Sequence, residues 1–108
     1  MFKRGKIVLV PFPFTDLSAQ KVRPALIISN QPKSADVVLL FITSQSKSKL
    51  PFLVSILPSD LNGLKTKSFI VCSKIATLNS KVILGELGEI EPGILDQIDI
   101  ELRKVLGL

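Results

Sequence analysis

The sequence predicts a mainly β domain closed by one C-terminal helix, and three observations carry that prediction. Short apolar runs rich in β-branched residues recur at close spacing from Ile7 to Leu78. Prolines and turn residues, including the Asn62-Gly63 step, punctuate those runs. From Pro92 onward the period changes, and apolar residues fall three and four positions apart. Several short strands followed by one helix give a small, strongly bent β-barrel or sandwich with the helix packed on it.

Taken in order, Ile7 to Val10 is a short apolar strand, and Pro11 and Pro13 are expected to end its pairing, since neither has an N–H to donate. Thr15 to Lys21 is a polar loop. Val22 to Asn30 is strand-like, and Gln31 to Ser34 makes a turn. Asp36 to Thr43 is the strongest strand, followed by a polar, basic loop from Ser44 to Lys49. Phe52 to Leu57 is a further strand. Leu57 to Asp60 is a tight turn or one turn of helix. Ser68 to Cys72 and Lys74 to Leu78 are two strands or one strand with a bend. Val82 to Ile90 has no clear period, and Gly85 and Gly88 weaken any helix there. The final helix starts at Pro92 and stops at Gly107. Ile94, Leu95, Ile98, Leu102, Val105 and Leu106 form its apolar stripe. Asp96 and Asp99 lie early and Arg103 and Lys104 late, in the sense the helix dipole favours.

At 108 residues the chain fits one domain over 1–108. Its 46% hydrophobic and 21% charged residues place it among globular chains rather than disordered ones. A mean hydropathy of +0.44 leaves apolar surface that self-association would cover. No apolar run approaches the roughly 18 residues that cross a bilayer. The N-terminus shows no small-residue cleavage site, so no signal peptide is read. Cys72 is the single cysteine and has no intramolecular partner, so a reducing cytoplasm is expected. Within Phe69-Ile70-Val71-Cys72 it reads as a buried strand residue, with no His in the chain to activate it.

Charge is unevenly placed. Residues 1–81 hold twelve Lys/Arg and three acids, and residues 82–108 hold two basic residues and six acids. A basic body suits a polyanionic partner such as nucleic acid, and equally a solvated basic surface. Without His, and with one Cys, the usual zinc ligand sets and the Ser–His and Cys–His nucleophile pairs are excluded. No Gly-rich phosphate loop is present, and the acids of the body do not cluster as a magnesium site would require. No metal and no cofactor is expected.

Polar residues at strand ends remain. Arg23 opens an apolar strand, and Pro24 holds it extended, so its planar fork can be offered to a phosphate. Thr43, Ser44 and Gln45 end the strongest strand, where hydroxyls can bond a phosphate oxygen. Each also has a plain reading, as a rim Arg in a surface pair and as turn-forming hydroxyls.

The run Arg4-Gly5-Lys6-Ile7-Val8-Leu9-Val10-Pro11-Phe12-Pro13-Phe14-Thr15-Asp16-Leu17, followed by Lys21-Val22-Arg23-Pro24-Ala25-Leu26-Ile27-Ile28-Ser29-Asn30, resembles the opening of MazF/PemK-family toxins. Phe41-Ile42-Thr43-Ser44-Gln45 resembles the family's second motif, and Ser68 to Leu78 its later strands. Lys6 stands where the family usually has Asp, a structural position, so the expected consequence falls on local stability. The resemblance implies an SH3-like barrel, a homodimer, and metal-independent endoribonuclease cleavage of single-stranded RNA at short sequences. It also implies an antitoxin whose flexible acidic C-terminal segment blocks the RNA groove. It maps the catalytic residues onto Arg23 and Thr43. Lys21, Ser44, Gln45, Lys47, Lys49, Lys65 and Lys67 are the candidate RNA-binding residues, all in predicted loops or at strand ends. Two other readings compete: a non-enzymatic toxin of the CcdB kind, which lacks support in the Val105-Leu106-Gly107-Leu108 ending, and a basic SH3-like module that binds nucleic acid without cutting it.

Overall fold

The computed structural model describes residues 2–12, 21–30, 33–45 and 49–108. Six strands and one helix follow in order: β1 (Lys6–Phe12), β2 (Lys21–Ile27), β3 (Asp36–Thr43), β4 (Leu53–Ile56), β5 (Ser68–Asn79), β6 (Gly85–Glu89) and α1 (Pro92–Leu106). The strands form one antiparallel sheet in the order β4-β5-β3-β2-β1-β6. It curls into a half-barrel, with the helix packed against β4 and β5. The predicted class is thus the observed one.

Both faces of the central strands are buried, and the period-two alternation assigns the residues. Ile7, Leu26, Leu40, Ile42, Val54, Ile56, Ile70 and Cys72 form one core with Ile90 and Ile98, against which Ile94, Leu95, Leu102 and Val105 of the helix pack. Val8, Val10, Ala25, Ile27, Val37 and Leu39 form the other, joined by Phe2, Phe41, Ala76, Leu78 and Ile83. Each buried Ile, Leu or Val contributes about 1.5–3 kcal/mol of transfer free energy. Strands buried on both faces read as continuous apolar runs, which is how Asp36 to Thr43 reads.

Pro11 corrects the expectation that pairing stops there. It stays opposite Val22 in the β1–β2 ladder. The carbonyl of Leu9 accepts from Leu84 N, so the backbone groups of Leu9, and of Pro11 two residues on, face the β6 flank. The β6 ladder covers only Lys6 to Leu9, so the N–H that Pro11 lacks would have met no strand. Pro13 and most of the Thr15 to Lys21 loop lie outside the described residues, as do Gln31 and Pro32.

The stretch without clear period resolves into a 3-10 turn at Ser80–Val82 and the strand β6. Gly88 is there for close approach: a Cβ on it would lie 2.2 Å from the Leu61 carbonyl oxygen. On the facing segment a Cβ on Gly63 would lie 2.3 Å from the Leu87 oxygen, and Gly63 sits at φ +71°. Glu89 N donates to Leu61 O at 2.9 Å. The turn that follows β4, one edge of the sheet, therefore lies on β6, the other edge, and closes the half-barrel.

Ser68 to Asn79 is one bent strand. Leu40 pairs with Ile75 and the next residue, Phe41, with Val71, so Cys72, Ser73 and Lys74 bulge out of the ladder. Cys72 N donates instead to the carbonyl of Phe52, a residue held at φ +61°. The helix starts at Pro92 and ends at Gly107. Two details differ from expectation. Its first turn contains no acid, since Asp96 and Asp99 lie deeper along it. Leu106 is exposed rather than part of the packed stripe.

Candidate active site

The β2–β3 ladder stops short of its natural end, and the reason is Pro24. Ile28 N donates to Val38 O, so the backbone groups of Ile28, Leu26 and Pro24 face β3. Ladder pairing runs from Ile27↔Leu39 to Ala25↔Phe41 and stops. The next bond in that register would run from residue 24 to the Ile42 carbonyl, and proline has no N–H to make it. Continuing the register sets Arg23 opposite Thr43. Period two places Arg23 on the face of Ala25 and Ile27, and Thr43 on the face of Leu39 and Phe41, which is the same face.

Two pockets open where the strands part. The larger, about 460 Å3, is lined by residues from β2, the end of β3, the Gly63–Thr66 segment and β6, among them Lys21, Arg23, Ser44, Lys65, Thr66 and Ser68. The smaller, about 180 Å3, is lined by Arg23, Phe41, Ile42, Thr43, Gln45, Leu50, Val71 and Lys74. Arg23, half-buried, borders both. Thr43 Oγ1 accepts from Gln45 N at 3.2 Å, which orients the hydroxyl and leaves its proton to donate.

Lys21, Arg23, Lys65 and Lys74 therefore converge on adjoining pockets, and neither described lining includes an Asp or Glu. Such a wall attracts anions and above all phosphates. Three acids of the tail are engaged elsewhere. Lys6 Nζ lies 2.9 Å from Glu89 and 3.8 Å from Glu86, and Arg4 pairs with Asp99. The hydrogen bond to Glu89 raises the Lys6 pKa, and the same bond lowers that of Glu89. The Lys6 departure is thus matched by carboxylates on the neighbouring strand.

Of the residues singled out in the sequence, Lys21, Ser44 and Lys65 line the larger pocket, and Thr43 and Gln45 the smaller. Lys49 is exposed and borders neither. Lys67 lies over the Phe69 ring, 5.7 Å from its centroid, and likewise borders neither. Lys47 lies outside the described residues. Sequence reasoning missed Lys74, Leu50, Thr66 and Ser68. A Ser-Lys interruption in an otherwise apolar strand was the available signal for Lys74. Cys72 is fully buried, and burial pushes its thiol up to about 11, with the nearby Glu101 adding to the shift. That is the inert structural cysteine the sequence suggested. Among the described residues no three Cys, Asp or Glu side chains gather where a metal ion could be held. Nor is any helix there long and apolar enough to cross a membrane.

Fold and site together define a small half-barrel protein with a cation-lined cleft at a strand end. Residues 3–106 match the PemK-like, MazF-like toxins of type II toxin-antitoxin systems, and the chain belongs to that family. A mycobacterial endoribonuclease in complex with its cognate antitoxin is similar at 29% identity and TM-score 0.79, over 100% of this chain and 97% of that one. A second mycobacterial endoribonuclease structure is also 29% identical, with TM-score 0.76, over 99% and 92%. A MazE-MazF structure from Deinococcus radiodurans reaches TM-score 0.80 at 23% identity, over 99% and 96%, and speaks for the fold. No curated protein sequence matches the chain.

Proposed function

We propose that this chain is an endoribonuclease toxin that cuts single-stranded RNA without a metal, with Arg23 and Thr43 as its catalytic pair. The observation that carries the reading is the meeting of Arg23 with Thr43 at a cleft walled by Lys21, Lys65 and Lys74, in a chain of this family. RNA supplies its own nucleophile. The 2′-oxygen attacks the adjacent phosphorus, the P–O5′ bond breaks, and a 2′,3′-cyclic phosphate and a 5′-OH end result. The protein has to align these atoms and stabilise the added phosphorane charge. Arg23 offers two parallel N–H groups to the non-bridging oxygens. Thr43, oriented by Gln45, donates to a phosphate oxygen or holds the 2′-OH in line. With no His in the chain, alignment and electrostatics carry most of the rate.

The lysines that line the cleft, with Ser44 and Gln45, track the RNA backbone and its bases, Lys49 and Lys67 extend the basic track beyond it, and Lys47 is a further candidate for RNA contact. The chain works as a homodimer of one domain per copy, in the cytoplasm. A cognate antitoxin neutralises it by laying an acidic flexible segment on the same cations. The mycobacterial relative solved with its antitoxin supports that partnership.

The test is incubation with a long single-stranded RNA in excess EDTA, beside Arg23→Ala and Thr43→Ala. Discrete cuts with 5′-OH ends are expected, lost in both variants and at sites given a 2′-deoxy sugar. Intact RNA from folded, antitoxin-free protein would reject the reading in favour of binding without cleavage.

A further inference from the structure

Among the described residues only two polar side chains are buried, Asn62 and Ser68, and they flank one segment. Residues 63–67 between them carry Gly63, Leu64, Lys65 and Thr66, all of which line the larger pocket. Burying a polar group is unfavourable unless its bonds are made, so a buried pair around one loop marks a conformation that is specified rather than merely allowed. Asn62 is wholly buried and uses its whole amide. Its Oδ1 accepts from Ser59 N at 3.0 Å and from Leu64 N at 2.9 Å. Its Nδ2 donates to Leu57 O at 2.9 Å and to the Glu91 carboxylate at 2.9 and 3.2 Å. Ser59 Oγ donates to the same carboxylate at 3.2 Å. At the far end, Ser68 Oγ donates to Thr66 O at 3.0 Å.

We propose that Asn62, clasped by Glu91, is a positioning residue that fixes the rim segment so that Lys65 and Thr66 face the RNA cleft. The inference rests on the reading of that cleft as an RNA site. Going toward Lys65, Gly63 N donates to Ser59 O at 3.0 Å and then Leu64 N to Asn62 Oδ1, which is the last tie before it. Glu91 also precedes α1, so the clasp fastens the rim to the fixed end of the helix. Lys65 borders the pocket away from Thr43, so displacing it weakens binding of substrate and transition state alike. The effect belongs in KM and not in kcat.

Asn62→Asp is the informative variant. It keeps Oδ1 for the Ser59 and Leu64 amides but sets a carboxylate against Glu91. Glu91→Gln added to it restores a donor to that pair. On an oligonucleotide spanning a mapped cut site, Asn62→Asp is expected to raise KM about tenfold with kcat within about twofold, and the double variant to recover most of the loss. In a Lys65→Ala background Asn62→Asp should add almost nothing, since both act through one contact. Hydrogen exchange should show faster exchange at Leu64 and Lys65 while the amides of β1 to β3 stay protected. Glu91→Gln alone, which keeps an acceptor in place, is the milder variant should Asn62→Asp not fold, with KM raised about threefold and the same non-additivity. An unchanged KM, a fall in kcat alone, or full multiplication with Lys65→Ala would overturn the proposal. A wild type that cuts RNA and dies with Arg23→Ala, yet ignores the clasp, rejects this inference alone. A wild type that leaves RNA intact rejects it together with the reading beneath it.

Discussion

Two groups of cations in this molecule are chemically alike and physically opposite. Arg4 and Lys6, at the start of the chain, lie against Asp99, Glu86 and Glu89 from its end. Lys21, Arg23, Lys65 and Lys74 line pockets whose described walls hold no carboxylate. The uneven charge along the sequence becomes an uneven charge in space because the acidic tail folds onto the first basic residues and not onto the others. At one end the cations meet carboxylates of the same chain, and at the other they gather on described walls of cationic and neutral residues. Counting lysines does not separate these roles; the fold does, through which strand lies beside which.

Substitutions at the two ends should therefore fail in different ways. The largest effect is expected from Arg23→Ala, a loss of about 100- to 1,000-fold in kcat with the fold retained, read by single-turnover cleavage and a thermal melt. Arg4→Ala should do the reverse. It removes the ion pair with Asp99 and the bond from Nε to Ile28 O, and should cost about 1 kcal/mol of stability in denaturant unfolding with kcat unchanged. Lys74→Ala should raise KM about three- to tenfold and lower the slope of log affinity against log salt by about 0.7, the value for one phosphate contact on a single strand. An unchanged slope would put Lys74 with the paired cations and break the comparison.

The smallest effect is expected at Lys6. Glu89 titrates below its ordinary value in the fold, so its contribution is present above that value and is lost as pH falls through the lowered one. Lys6 titrates above its ordinary value, so its contribution is lost as pH climbs through the raised one. The pair thus stabilises across the neutral range. Lys6→Asp, which restores the residue usual in the family, should lower Tm at neutral pH by facing two glutamates. The gap should close in acid, and Glu89→Lys should reverse it.

Much of this was legible in the chain because the responsible patterns are local. Ile94, Leu95, Ile98 and Leu102 announce a helix by their own spacing, and Asp36 to Thr43 a strand by its own branching. Arg23 and Thr43 stood out as polar residues at the ends of apolar runs. What escaped depends on neighbours distant in sequence. Pro11 reads as a strand end unless one knows that β6 stops at Leu9. Gly88 reads as a helix breaker unless one knows that the Leu61 carbonyl lies on it. Lys74 reaches the smaller pocket where three residues bulge opposite Leu40 and Phe41, a register no periodicity contains. Lys49 and Lys67 stand out by charge and by their place in predicted loops, and neither signal says whether a side chain borders the pockets.

Pro24 also sets a limit on how stable this protein can become without losing its cleft. The donor missing at that position is a fault in the sheet, and the cleft is what the fault leaves open. An alanine or valine there would supply the N–H, bond the Ile42 carbonyl, and let the two strands zip further. Pro24 thus leaves the cleft open where an ordinary residue would tighten the sheet.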